Sequence, residues 1–292
     1  MTAHVAERGE GRGRVVLRLD CTGHASDAAI DAAIVVAKAF GAGIESLLVE
    51  DRQVYDAAGY AFAREITTAN ASERELAVAE MERRMQLAAR AAGRRIATLA
   101  AEASVPVDLR YVRDTPVGAL VHACQSAGPW NVVALGEALN AATLARLGDL
   151  FERVTGMTGI VVAAARPVRR GREAGGPIVA IVEHPERLAG MVRTASRIAA
   201  VANAEVVVAL LAPSRAAMSW LAGEVRAALL HDERVLLAEL SQPGGGVAVV
   251  AESLRRMRAG FVIAELGGLA LPEGADLRPI ASALECPLLV VR

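Results

Sequence analysis

The sequence predicts an α/β protein made of two similar units, each built around a five-stranded parallel sheet. Short apolar runs typical of strands alternate with longer segments of helical periodicity along the 292 residues. The chain opens strand–helix–strand, and such a unit normally places its two strands in parallel. The second half repeats the order of apolar segments in the first, which indicates an internal duplication.

The elements of the first half follow from local signals. The sequence predicts a strand at 14–20, Ser26 as the N-cap of a helix at 27–40, and a strand at 44–50. Residues 51–71 have helical spacing, and Ser72–Glu75 matches the S-x-x-E capping box of a helix that runs to about residue 103. Then come an edge strand at 107–111, a helix at 116–127, a strand at 131–136, a short helix near 144–155 and a strand at 159–163.

The pattern restarts after a basic, glycine-containing stretch at 166–176, which is predicted as a linker. The second half has predicted strands at 177–183, 205–212, 235–240, 261–266 and 288–291, and helices at 185–202, 214–230 and 246–259. Three segments match first-half segments in the same order: 37–48 with 199–210, 132–136 with 263–267, and 159–162 with 287–290. We expect a flexible tail at 1–13 and domains at 14–165 and 177–292; the alternative is two unrelated α/β units in tandem.

Composition excludes several classes of protein. The formal net charge of -1 argues against a nucleic-acid partner, and 53% hydrophobic residues argue against disorder. The longest apolar stretch, 198–212, contains Asn203 and Glu205, so no membrane span is expected. No apolar segment typical of a secretory signal follows the polar tail. Three cysteines far apart fit a reducing cytoplasm without disulfides.

Four segments stand out when they are taken in order: a first strand that ends in Asp20, R-D-T-P at 113–116, V-V-A-L-G at 132–136 and E-C-P-L-L-V-V at 285–291. In this order they resemble segments of the universal stress proteins. The chain resembles the tandem type, with two copies in one polypeptide. The resemblance implies doubly wound sheets of the Rossmann-like, adenine nucleotide alpha hydrolase-like class, with strand order 3-2-1-4-5. It also implies that the terminal strands at 159–163 and 288–291 pair, which makes the chain an intramolecular pseudo-dimer.

Ligands of doubly wound sheets bind beyond the strand carboxyl ends, between strands one and four. This geometry and the resemblance give the candidate ligand-binding residues Asp20, Cys21, Val49, Gly136, Glu183, His184, Gly267 and Gly268. The resemblance implies that Asp20 is the acidic nucleotide contact, replaced by Glu183 in the second half, and that Val49 flanks adenine.

The phosphate-binding motif departs from the pattern of the ATP-binding members, which is G-x2-G-x9-G-[S/T] after strand four. Gly136 is followed by Leu139 and Asp149 at the next two glycine positions. Gly267 is followed by Ala270 and Ile280. Neither loop has a lysine, so Arg146 or Arg278 would have to provide the positive charge that binds phosphate. Since the glycines that let backbone N–H groups approach phosphates are lost, no cofactor is expected; ATP or AMP is the alternative.

Metal and catalytic sites are not expected either. Cys21 and His24 provide two neighbouring ligands, whereas a zinc site needs three or four. The nucleophile motif G-x-S-x-G is absent, and so is the S-G-G-x-D-S loop of pyrophosphate-releasing relatives.

Within 51–71, aromatic residues including Tyr55 and Tyr60 predict either a lid, a surface for a protein partner, or a helix that covers its own sheet.

The sequence therefore predicts a non-catalytic regulatory or interaction protein of the stress response that senses a small ligand in a degenerate nucleotide cleft. One alternative is a genuine ATP- or AMP-binding protein, or a weak ATPase, that uses Asp20, Val49 and Gly136. Another is an enzyme of the wider α/β superfamily with substrate near Glu183 and Gly267. Whether two chains form a homodimer stays open.

Overall fold

The structure, a computed structural model, describes residues 13–21, 26–60, 63–67, 72–75, 77–125, 128, 130–164, 176–229, 234–240 and 246–292. The predictions made for the tail at 1–12, for His24 and for the linker at 166–175 lie outside this part. The domain boundaries stay predictions.

Helices and strands alternate along the described chain. The first half contains β1 (Arg14–Asp20), α1 (Asp27–Phe40), β2 (Ile44–Asp51), α2 (Arg52–Ala58), β3 (Arg64–Thr67), β4 (Ser72–Glu75), α3 (Val78–Glu102), β5 (Val107–Asp114), α4 (Pro116–Gln125), β6 (Asn131–Leu139), α5 (Ala141–Ala145), α6 (Leu147–Arg153) and β7 (Met157–Ala164). The second half contains β8 (Ile178–Val182), α7 (Pro185–Ala202), β9 (Val206–Leu210), α8 (Arg215–Ala228), β10 (Val235–Glu239), α9 (Val247–Met257), β11 (Phe261–Glu265), α10 (Arg278–Ala283) and β12 (Leu288–Val291).

Ten of these strands form one sheet in the order β10-β9-β8-β11-β12-β7-β6-β1-β2-β5. Within each half the strands are parallel, and their order is 3-2-1-4-5 when each half is numbered separately. The two halves meet where β12 pairs antiparallel with β7, from Leu288 opposite Val162 to Val291 opposite Gly159. The predicted fold class is confirmed, and the two terminal strands pair within the chain.

An apolar layer covers each face of the sheet. On one face Leu17 and Leu19 of β1 share a core with α1, α3, α7 and α8. On the other, Val16 shares a core with α4, α6, α9 and α10. This alternation along β1 is the period of two that a strand requires. The helices that follow strands one and four therefore lie on opposite faces, which creates a switch point in each half.

The segment after β2 is only partly helical, so the helical prediction for 51–71 is wrong in its second part. α2 ends at Ala58, and β3 pairs antiparallel with β4. The S-x-x-E segment is thus a strand, and α3 begins at Val78 with Ala77 as its N-cap. The backbones of the two strands pair from Arg64 opposite Glu75 to Thr67 opposite Ser72, so strand pairing replaces the expected cap.

Smaller differences concern short helices. The helix predicted near 144–155 is two helices, α5 and α6, and the six-residue α10 was not predicted. Thr115 caps α4, because its hydroxyl oxygen accepts a hydrogen bond from the Gly118 amide at 3.1 Å. Among the described helices, none has the length and apolarity needed to cross a membrane.

Candidate functional site

The switch point of the first half lies between the carboxyl ends of β1 and β6. Gly136 is packed tightly there, because a Cβ at this position would collide with the Leu19 side chain and lie 2.9 Å from the Arg18 carbonyl oxygen. The strand continues past Gly136, where the sequence predicted its end, and a register shift lets Leu139 pair with Ala164 of β7. Gly136 therefore serves the close packing of two strands.

A cluster of one carboxylate and two guanidinium groups lies at this switch point. Arg18 of β1 donates from Nη2 to Oε1 of Glu137, which follows Gly136 in β6. Arg146, in the turn between α5 and α6, donates from Nη2 to Oε2 of Glu137 at 2.8 Å. The Arg18 side chain is 9% exposed and that of Arg146 is 60% exposed. Both cations near this switch point are thus bound to a carboxylate of the same chain.

Asp20, Cys21 and Val49 lie together at the carboxyl ends of β1 and β2. Asp20 is opposite Val49 in the sheet, and the Cys21 amide donates to the Val49 carbonyl oxygen at 3.1 Å. The side chain of Asp20 is exposed, whereas Cys21 and Val49 are buried. Burial, with a smaller contribution from the charges of Glu50 and Asp20, raises the pKa of the Cys21 thiol to about 12. This thiol is protonated at neutral pH and is a poor nucleophile.

α2 is tied to the carboxyl ends of β2 and β5 by a polar cluster that the sequence analysis missed. The Tyr55 hydroxyl donates to Oε2 of Glu50 at 2.9 Å. Nη2 of Arg113 donates to the same oxygen at 3.1 Å and to Oε1 of Glu82 at 2.6 Å. The Arg113 guanidinium carbon also lies 4.1 Å from the centre of the Tyr55 ring, within the range of a cation–π contact. Burial and the hydrogen bond to Glu50 raise the pKa of Tyr55.

In the second half, the structure brings Glu183, Gly267 and Gly268 into one site. Oε2 of Glu183 accepts a hydrogen bond from the Leu269 amide at 2.5 Å, and Oε1 accepts one from the Ala270 amide at 2.9 Å. A Cβ at Gly268 would lie 2.6 Å from the nearer carboxylate oxygen. Gly267 has φ +81, a conformation that favours glycine. Two successive backbone N–H groups that donate hydrogen bonds to one anion form what is called a nest.

His184 lies beside this site without taking part in the described hydrogen bonds to the loop. It is exposed and occupies the N-cap position of α7, with no hydrogen bond from its side chain to the helix. The first turn of α7 is instead joined to β11 by an ion pair between Arg187 and Glu265 at 2.7 Å.

No group of three or more His, Cys, Asp or Glu residues in the described part of the chain has the geometry to hold a metal ion. Besides Cys21, the free thiols of Cys124 and Cys286 are buried. Burial raises their pKa values to about 11 and about 12.

No protein-family model and no curated protein matches the sequence. Solved structures do match, over nearly the whole chain. A universal stress protein from Archaeoglobus fulgidus has 11% identity and a TM-score of 0.61, and the match covers 95% of this chain and 96% of that protein. The fold is that of the universal stress proteins.

Two further structures have this fold. A protein described as a universal stress protein from Pseudomonas aeruginosa has 16% identity and a TM-score of 0.54, with 95% of this chain and 92% of that protein covered. The cytoplasmic domain of a prokaryotic cation chloride cotransporter has 9% identity and a TM-score of 0.51, with 96% and 95% covered. At such low sequence identities, these structural matches establish the fold alone, and membership of the tandem family stays a prediction.

Three of the four positions where the resemblance places the later phosphate-loop glycines of universal stress proteins hold core residues here. Leu139 at the end of β6, Ala270 after β11 and Ile280 in α10 are each 1% exposed. Asp149, the fourth such position, is an exposed residue of α6. The main chain at Leu139 pairs with a neighbouring strand, so its backbone does not form a glycine-rich loop.

Proposed function

We propose that this chain is a non-catalytic protein of the universal stress type with a regulatory or interaction role in the stress response. The observation that supports this proposal is the same in both halves. A carboxylate of the chain itself, Glu137 in the first half and Glu183 in the second, binds the groups that an incoming phosphate would need. A triphosphate would have to displace these carboxylates or bind beside them.

The energetic consequence is unfavourable for nucleotides. Two like charges about 4 Å apart repel each other by about 1 kcal/mol in water and by about 4 kcal/mol near a protein surface. Since about 1.4 kcal/mol corresponds to a tenfold change in affinity, repulsion by a resident carboxylate at this distance would weaken phosphate binding by about fivefold to about 700-fold. We include in the proposal that the first cleft senses a small ligand without phosphates, with Asp20 as its polar contact.

The interaction role is supported by the segment after β2. In the described part of this segment, Tyr60 is 58% exposed to solvent and Ile66 is 66% exposed. Large exposed apolar side chains are typical of surfaces that bind other proteins. The same fold occurs in the cytoplasmic domain of a prokaryotic cation chloride cotransporter. We propose that a protein partner binds this segment, and that a homodimer, should one form, uses a surface other than β7 and β12.

Nucleotide titration tests the proposal. A ligand at 100 times its Kd stabilises a protein by about 2.7 kcal/mol. We expect no change in Tm with millimolar ATP or AMP, with and without Mg²⁺, and no heat of binding by calorimetry. Glu137→Gln is the matched variant, because it leaves Arg18 and Arg146 without their carboxylate. A saturable stabilisation of the unmodified protein would favour the alternative, a genuine nucleotide-binding protein or weak ATPase.

A further inference from the structure

The loop segment that follows β11, residues 266–271, holds the Glu183 carboxylate through two backbone amides. We infer that this loop is a preformed binding site for a small carboxylate, that Glu183 is its built-in occupant, and that an external monocarboxylate can take the place of Glu183 when that side chain is removed. The inference goes beyond the proposed function, because it holds whether or not the first cleft binds a nucleotide.

The shape of the loop is fixed by contacts other than those of Glu183. The Gly267 amide donates to the Leu271 carbonyl oxygen at 2.9 Å, and Leu266 and Leu271 form an isolated β-bridge. Ala270 and Leu271 are 1% and 2% exposed and belong to the core. The amides of Leu269 and Ala270 therefore stay directed toward the same point when the side chain of residue 183 is shortened.

The size of the site fits a carboxylate. A Cβ on Gly268 would lie 2.6 Å and 2.8 Å from the two oxygens of Glu183 and 2.9 Å from the carbon that joins them. The carboxylate thus lies directly against Gly268, and one added methyl group would clash with a carboxylate bound there. This gives a means to close the site without altering the residues that donate to it.

The surrounding charge selects for a singly charged ligand. An oxygen of Glu273 lies 3.7 Å from the position of a Cβ on Gly267, whereas the charge of Glu265 is already paired with Arg187 at 2.7 Å. The Glu273 carboxylate repels a doubly charged phosphate more strongly than a monoanion. Acetate is therefore the expected ligand, and phosphate the poorer one.

Chemical rescue tests the inference in the full chain. We expect Glu183→Ala to lower Tm, and sodium acetate to raise the Tm of this variant in a saturable way relative to sodium chloride at the same ionic strength. The unmodified protein should not respond. The double variant Glu183→Ala, Gly268→Ala should lose the acetate response, since the new methyl group fills the site. Equal acetate responses in all three proteins, or a larger response to phosphate than to acetate, would overturn the inference.

A second measurement does not need the alanine variant to fold. In Glu183→Gln the charge is lost, and we expect hydrogen exchange at the amides of Leu269 and Ala270 to be about tenfold faster, as the loss of a charged hydrogen-bond partner implies. The matched control is Glu186→Gln, an exposed position in the first turn of α7. Unchanged exchange in Glu183→Gln would overturn the inference.

Discussion

Replacement of Glu137 by glutamine keeps the size of the side chain and removes the charge that Arg18 and Arg146 share. Removal of one partner of a buried ion pair costs about 3–5 kcal/mol, because the other charge stays buried without compensation. The Arg18 side chain is 9% exposed, but that of Glu137 is 30% exposed, so solvent screens part of the interaction. Arg146 is 60% exposed and contributes about 0–1 kcal/mol. We therefore expect a loss of about 2–4 kcal/mol in the free energy of unfolding.

Urea denaturation followed by circular dichroism measures this loss. Arg18→Met should cost less than Glu137→Gln, since it leaves Glu137 paired with the exposed Arg146. The double variant should cost at least about 1 kcal/mol less than the sum of the single variants, because both remove the same interaction. Glu152→Gln, at an exposed position of α6, is the control and should change stability by at most about 0.5 kcal/mol. Additive single variants, or a Glu137→Gln variant as stable as this control, would refute the reasoning.

Three further predictions concern other parts of the structure. Gly136→Ala should cost about 1–3 kcal/mol of unfolding free energy, because its methyl group collides with the neighbouring strand. Gly148→Ala places its methyl group in open space within α6 and should be neutral or stabilising by up to about 1 kcal/mol. Equal urea midpoints for the two variants would contradict this prediction. The unfolded chain releases the Cys21 proton near the usual pKa of 9.0, whereas the folded chain releases it only at about 12. The free energy of unfolding measured with urea should therefore fall as the pH rises between these values, and it should fall less steeply in Cys21→Ala. Parallel pH profiles for the two proteins would show that Cys21 does not contribute to this pH dependence. Tyr55→Phe loses the hydrogen bond to Glu50, which should lower the free energy of unfolding by about 1 kcal/mol. Proteolysis within α2 should be faster in this variant, and an unchanged cleavage rate would show that the hydrogen bond does not hold the helix in place.

Much of the fold was predictable because its signals are local and agree with the tertiary structure. α7 begins at Pro185 and ends at Ala202, as predicted, since proline suits a first helical turn and Asn203 adopts the left-handed conformation that ends a helix. The segment at 72–75 shows the limit of such signals. Its capping pattern is local, but the strand it forms depends on a partner at 64–67, which no local pattern reveals.

The candidate site was predictable where the topology alone determines it. The carboxyl ends of β8 and β11 are neighbours in any doubly wound sheet, so Glu183 and Gly267 were expected to lie close together. The partner of Glu183 was not predictable, because the Leu269 and Ala270 amides are backbone groups that every sequence contains. In the first half, an arginine within the apolar strand V-V-L-R-L was the available signal for a buried ion pair. Its partner Glu137 was missed because β6 was expected to end at residue 136.

The join between β7 and β12 has a consequence for the synthesis of the chain. β12 is the last described strand in chain order, yet it lies at the centre of the sheet between β11 and β7. Until it leaves the ribosome, β7 presents an apolar edge of unpaired backbone groups, the kind of surface that recruits strands from other chains. The emerging first half therefore presents this edge until β12 arrives to pair with β7.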